Sequence, residues 1–294
     1  MSKTRPSSKP ATLANARRPG ATRPDGASTL TAAGEIQALS GDPNFMTSLA
    51  RGLTVIRAFS QHRHRQSIAQ LSHRTGIPRA AVRRCLYTLQ KLGYVAADEG
   101  RAYALRPQIL ALGHAYLSSA PLAASAQPLL NQVSEAIRES CSMAVLDGED
   151  ILYVARSSAS TRIMSIDLGI GSRLPAFCTS MGRVLLAGLS PNELGAYLRR
   201  MKFVPYTNRT IVTREQLKSA LDTARAAGFA VVDQELEIGL RSIAVPVADR
   251  DGRVAAAINV SVQAGRMSLA QMDATLLAPL RAAARELGML LSAG

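Results

Sequence analysis

The sequence predicts an α+β chain in two parts: a basic helical unit, then a larger unit whose helices accompany a largely antiparallel sheet. Three observations carry that reading. Apolar residues recur at helical spacing, with cap residues of their own, from Leu49 to Leu291. Short β-rich runs meet at tight polar turns, "DGED" at 147–150 and "RDG" at 250–252, as hairpins do. Positive charge is concentrated: residues 45–120 hold eleven Lys and Arg against two Asp and Glu, while residues 121–294 hold eighteen against sixteen.

Taken in order, residues 1–44 are rich in Ser, Thr, Pro, Ala and Gly and read as a disordered basic tail. Three short amphipathic helices follow. Thr47 or Ser48 caps the first, with Leu49, Leu53 and Ile56 on one face. Ser67 caps the second, Ile68 and Leu71 face inward, and Gly76 ends it where a left-handed residue is wanted. Pro78 begins the third, whose apolar stripe is Val82, Cys85, Leu86, Leu89 and Leu92. Its opposite face carries Arg79, Ala80, Arg83, Arg84, Tyr87 and Lys91. Two helices around "TGIP", the second with a basic outer face, form a helix-turn-helix. Arginines in the first half of that helix suit base edges or phosphates in a major groove. Gly93 closes the helix. Residues 94–97 and 101–105 then form a hairpin, a wing with Arg101 at its tip.

Residues 107–119 form a helix without charge, which implies a partner for its surface. Residues 122–139 form another, followed by strands at 142–146 and 151–156. Helices at 191–202 and 214–227 come next, the latter capped by Thr213 and ended by Gly228. "FAVVD", "RSIAVPVAD" and "RVAAAINVSV" read as strands, and residues 268–291 as a final helix.

Composition excludes several classes. The chain has 294 residues, 47% apolar, with a net charge of +14, a balance suited to a polyanion, nucleic acid first. Three cysteines cannot form a disulfide framework, which points to a reducing compartment. No apolar leader occupies the first 44 residues, and the charge-free run 107–134 is broken by Pro121, Pro128 and several polar residues. A cytoplasmic protein with no membrane partner is expected.

The stretch "MTSLARGLTVIRAFS…SIAQLSHRTGIPRAAVRRCLYTLQKLGYV" resembles the winged helix-turn-helix of IclR-type transcription regulators, in particular the branch that governs the β-ketoadipate pathway. "GSRLPAFCTSMGRVLLA" and "GFAVVDQELEIGLRSIAVPVADRDGRVAAAINVS" are similar to that family's effector domain. The resemblance implies four segments: the 1–44 tail, a DNA-binding domain at 45–105, a linker helix at 106–121, and a GAF/profilin-like effector domain at 122–294. It implies a homodimer or tetramer on double-stranded operator DNA, with protocatechuate, p-hydroxybenzoate or β-ketoadipate as effector. On this reading Arg79, Ala80, Arg83, Arg84, Tyr87 and Arg101 meet DNA. Thr179, Ser180, Met181, Ser242, Asn259 and Ser261 meet the acid, with Ile163 as an apolar wall. Arg162 is the preferred cationic anchor. Arg241 is a second, set against a structural ion pair with Glu235 or Glu237.

Rival readings are a regulator of another pathway sensing a different acid, an enzyme with an accessory DNA-binding domain, and a ligand-free architectural protein. Residues 121–294 contain no His, since His62, His64, His73 and His114 all precede them, so no Ser-His or Cys-His pair forms there. Cys141 and Cys178 lack redox or metal spacing. Asp233, Glu235 and Glu237 alternate as if along one strand face, and read as a polar edge. No phosphate-loop motif is present. No metal and no cofactor is expected.

Overall fold

The computed structural model describes residues 32–59, 63–98, 101–119, 121–157 and 168–291. Residues 1–31 of the expected tail lie outside them. Its end departs from the expectation: Ala32–Ala38 is a helix (α1), and Ile36 is buried against the first core beside Ala33. A helix of seven residues, about two turns, with one buried side chain is too short for a periodic signal.

The helix-turn-helix is α2 (Thr47–Arg57), α3 (Ile68–Thr75) and α4 (Arg79–Lys91). Ser67 and Gln70 form a reciprocal capping box on α3, and Gly76 ends it at φ 72°. The start of α2 differs from the expectation. Thr47 is already helical, Met46 is the flanking residue, and no side chain caps the end. The inward face differs too: Val55 is fully buried, whereas Leu49 and Leu53 are about half exposed. Leu92 leaves the expected stripe of α4 and is exposed at the helix end, while Val82, Leu86 and Leu89 are buried. Strands β1 (Val95–Asp98) and β2 (Ala102–Leu105) pair as the wing.

A 3₁₀ turn at Pro107–Ile109 leads into α5 (Leu110–Ser119), and α6 (Pro121–Ile137) follows. Among the described residues, the larger unit is built on one six-stranded sheet. Its strands are β3 (Ser140–Asp147), β4 (Asp150–Ser157), β5 (Arg173–Pro175), β6 (Ala230–Asp233), β7 (Leu240–Ala248) and β8 (Val254–Gln263). They lie in the order β5-β4-β3-β8-β7-β6, every pair antiparallel. Helices α6 and α10 (Leu269–Leu291) cover one face, where Met143, Val245, Ile258 and Val260 meet Leu276 and Leu280. The other face packs on α7 (Ser180–Ala187) and α9 (Arg214–Ala227), with α8 (Pro191–Arg200) in the same core.

Because side chains alternate along a strand, the two faces of β8 separate. Ala256, Ile258, Val260 and Val262 serve the α10 face, while Ala257 belongs to the α7 core and Asn259 and Ser261 share its side. The expected strand through Asp233, Glu235 and Glu237 is not formed. β6 ends at Asp233, and Gln234 turns the chain at φ 62°.

Candidate functional site

The first candidate surface is the outer face of α4. Arg79, Ala80, Arg83, Arg84 and Tyr87 are all exposed. Among the described residues, none of the three arginines has a carboxylate partner. Lys91 sits 5.6 Å over the Tyr87 ring, so this face ends in one more cation, held against an aromatic ring. The core-facing side of α4 is tied down by Val82, Leu86 and Leu89, which fixes which side the arginines present. The wing is anchored to the helices through Gln66. Its backbone forms a bridge with Tyr103, and its buried Nε2 donates to the Ala58 carbonyl at 2.8 Å. Arg65 pairs with Asp98 at the end of β1. Arg101 is exposed at the start of β2. The structure therefore brings all six expected DNA-facing residues to the surface, on one helix and its adjoining wing.

The second candidate is a buried cavity between the sheet and the start of α7. Six of the expected residues line it: Thr179, Ser180, Met181, Ser242, Asn259 and Ser261. Local chemistry explains the convergence. Thr179 caps α7 by accepting from the Gly182 N–H at 3.2 Å. Only glycine fits at 182, because a Cβ there would lie 2.0 Å from the Ala176 carbonyl oxygen. The helix thus starts hard against the preceding turn, with the Ser180 and Met181 N–H groups at its free end. Ser242 on β7 lies directly opposite Ser261 on β8.

Two polar atoms in this cavity are buried without a protein partner among the described residues: Ser180 Oγ and Asn259 Oδ1. Asn259 Nδ2 donates to Ser261 Oγ at 3.2 Å. Such orphaned groups are costly unless something else satisfies them. No charged side chain lines the cavity among the described residues. Its free space is about 20 Å³, room for little more than one water, so any organic acid must open it.

The sequence reading missed Tyr153, Cys178 and Leu236 in the lining. Burial pushes the Tyr153 phenol up to about 12, so it is a neutral hydrogen-bonding group there. Burial also raises the Cys178 thiol, with Glu235 adding to the effect, so it is no nucleophile. Tyr153 carries no local sequence signal, since strand pairing places it there, whereas Cys178 and Leu236 lie inside the two quoted stretches and could have been read from their neighbours.

Arg241 is not part of the cavity. Its Nε donates to Asp233 Oδ1 at 2.6 Å, and Nη1 donates to the carbonyls of Ala264 and Met267 at 3.0 and 2.8 Å. The ion pair considered for it exists, but with Asp233, which lies opposite Arg241 across β6 and β7. Burial opposes ionisation of Asp233, yet Arg241, Gln234 and Arg209 together hold its carboxyl below the usual value. Glu235 instead binds Arg183, at 2.6 Å, with both side chains buried. Arg162 and Ile163 lie outside the described residues.

Among the described residues, no helix is long and apolar enough to cross a membrane, and no group of three or more His, Cys, Asp or Glu is placed to hold a metal.

Known proteins resemble both halves. The IclR helix-turn-helix domain family matches residues 48–99, and the bacterial transcriptional regulator IclR C-terminal family matches residues 114–289. The Pca regulon regulatory protein of Pseudomonas putida is 55% identical over 252 residues, covering 86% of each chain. A transcriptional regulator from Rhodococcus sp. RHA1 has a similar solved structure: TM-score 0.73, 46% identity, covering 84% of this chain and 98% of that one. A double mutant of the inducer-binding domain of the PobR transcription factor from Acinetobacter, solved with 3-hydroxybenzoic acid, matches at TM-score 0.53 and 31% identity. It covers 55% of this chain and 95% of its own.

Proposed function

Because the chain belongs to the IclR family of bacterial transcriptional regulators, we propose that it is a ligand-responsive, DNA-binding regulator of aromatic-acid catabolism through the β-ketoadipate route. The observation that carries the DNA half is the unpaired arginine face of α4 beside a wing. Arg79, Ala80, Arg83, Arg84 and Tyr87 enter a major groove, and Arg101 of the wing touches the backbone nearby. The matched families and relatives are transcription regulators, which removes the enzyme reading.

The acid occupies the cavity at the start of α7. Its carboxylate accepts from the Ser180 and Met181 N–H groups, with the helix dipole favouring the charge. Ser180 Oγ donates to the same carboxylate, which satisfies the orphaned hydroxyl. Ser242, Asn259, Ser261 and Tyr153 meet the remaining polar atoms, and Met181 and Leu236 pack on the apolar body. Arg162 adds a cation and Ile163 a wall. Arg241, already bonded to Asp233 and two carbonyls, has no part in binding. The acid is protocatechuate, p-hydroxybenzoate or β-ketoadipate.

The active species is a homodimer in the cytoplasm. Leu110 and Leu112 of the charge-free α5 are about half exposed or more, a surface that needs a partner. Two α4 helices then meet operator half-sites about one DNA turn apart. Acid binding shifts the dimer between two arrangements that differ in fit to the operator.

The test is fluorescence anisotropy on the promoter DNA upstream of the protocatechuate-catabolic genes. Nanomolar, salt-sensitive binding that Arg84→Ala weakens is the expected result. Equal binding of wild type and variant overturns the docking of α4.

A further inference from the structure

On the opposite face of the sheet from the acid cavity, the structure has a second and larger recess. It lies between α10 and the ends of β7 and the β7–β8 turn, with a volume of about 670 Å³. Its floor is apolar: Val245, Ala284 and the bare backbone of Gly288, with Pro246 at its margin. Gly288 allows this, because a Cβ there would lie 2.5 Å from the Ala248 carbonyl oxygen, so the helix runs unusually close to the strand. Met289 walls one end and is largely exposed.

The rim is cationic. Arg281 and Arg285 stand one helical turn apart on α10, and Arg250 faces them from the turn. Arg281 is held in place by the Ala227 carbonyl at 2.9 Å and lies 5.7 Å from the Phe229 ring centre. Arg250 and Arg285 have no carboxylate partner among the described residues. Among the described residues Asp249 is the one carboxylate in the lining, and its Oδ1 accepts from the N–H groups of Asp251 and Arg253 within the turn. Three guanidinium groups around an apolar floor match an anion that carries an apolar body.

We propose that this recess is a second binding site, for an organic anion with an aryl or alkyl body, distinct from the acid cavity. Its size falls in the range of small-molecule pockets, about 300–1,000 Å³. The eleven described residues that line it are far fewer than the ~20–30 per side of a stable protein interface, which disfavours a protein segment. β7 runs between the two sites. Ser242 on one face lines the acid cavity, and Val245 on the other floors the recess. An anion bound here therefore packs on the same strand that the effector touches.

The experiment uses the full chain and 8-anilinonaphthalene-1-sulfonate, whose fluorescence rises in an apolar site and whose bulk exceeds the acid cavity. One saturable site per chain is expected, displaced by octanoate. The double variant Arg250→Ala/Arg285→Ala changes only exposed side chains. It should bind the probe about tenfold more weakly with an unchanged unfolding midpoint. Ser180→Ala should bind it as wild type does, which keeps this test separate from that of the acid cavity. Unchanged affinity in the arginine variant, or binding that never saturates, overturns the proposal. So does displacement by inorganic sulfate as effective as by octanoate, since that would leave no role for the apolar floor.

Discussion

Two helices of this chain carry arginines and use them in opposite ways. On α4, Arg79, Arg83 and Arg84 project into solvent without a carboxylate partner among the described residues. On α7 every residue is buried, including Arg183. Its Nη2 donates to Glu235 at 2.6 Å and its Nε donates to the Phe177 carbonyl at 3.3 Å. Glu235 in turn accepts from the Ile211 N–H at 3.1 Å. A buried guanidinium held by a carboxylate and a backbone carbonyl is a structural clamp, and an exposed one with no carboxylate partner among the described residues is available for an anion. Residue type is the same in both places, so the surroundings decide the role.

The contrast breaks first at the clamp. Arg183→Met leaves Glu235 charged and buried, which should lower stability by about 3–5 kcal/mol in urea unfolding. Adding Glu235→Leu should recover part of that loss, because the penalty lies in the uncompensated charge. Failure of the double variant to recover anything would mean that the pair's hydrogen bonds to 177 and 211 matter more than its charge. Next in size is Gly182→Ala, at about 3 kcal/mol, since its methyl meets backbone rather than a movable side chain. A variant as stable as wild type would show that α7 can slide away from residue 176.

The exposed helix behaves otherwise. Arg84→Ala should leave the unfolding midpoint unchanged and weaken operator binding by about 1–3 kcal/mol if the side chain reads a base. If it holds a phosphate instead, the loss should be the same on every DNA sequence, and the salt dependence should flatten. The smallest expected effect sharpens the boundary between the two kinds of residue. Ser67→Ala removes the cap of α3 and should lower stability by about 1 kcal/mol, with DNA affinity following only through the folded fraction.

Much of this was legible because it is local. Ser67, Thr213, Gly76 and Gly228 each bracket a helix within a few residues, and each occupies the cap position that its type implies. The hairpins around 147–150 and 250–252 follow from their turns. What was not legible depends on distant partners. The short α7 is buried on all sides, so it has no polar face to give it a period. Leu49 and Leu53 keep helical spacing, yet they are exposed while Val55 is buried, because periodicity marks an apolar face without saying what covers it. Arg241 took Asp233 rather than Glu235 or Glu237 because strand register, invisible in the sequence, sets residues 233 and 241 opposite each other. At the cavity, the resemblance pointed to Thr179, Ser180, Met181, Ser242, Asn259 and Ser261, but Tyr153 arrives from a strand with no signature of its own.

The central claim is that an aromatic-pathway acid is held at the start of α7. Thermal unfolding of the full chain tests it, with protocatechuate, p-hydroxybenzoate, β-ketoadipate and glyoxylate added separately to wild type and to Ser180→Ala. One of the first three should stabilise wild type, by about 2.7 kcal/mol at a hundred times its dissociation constant, and the variant should lose most of that gain. No stabilisation by any of the three, or an equal gain in the variant, would contradict the account.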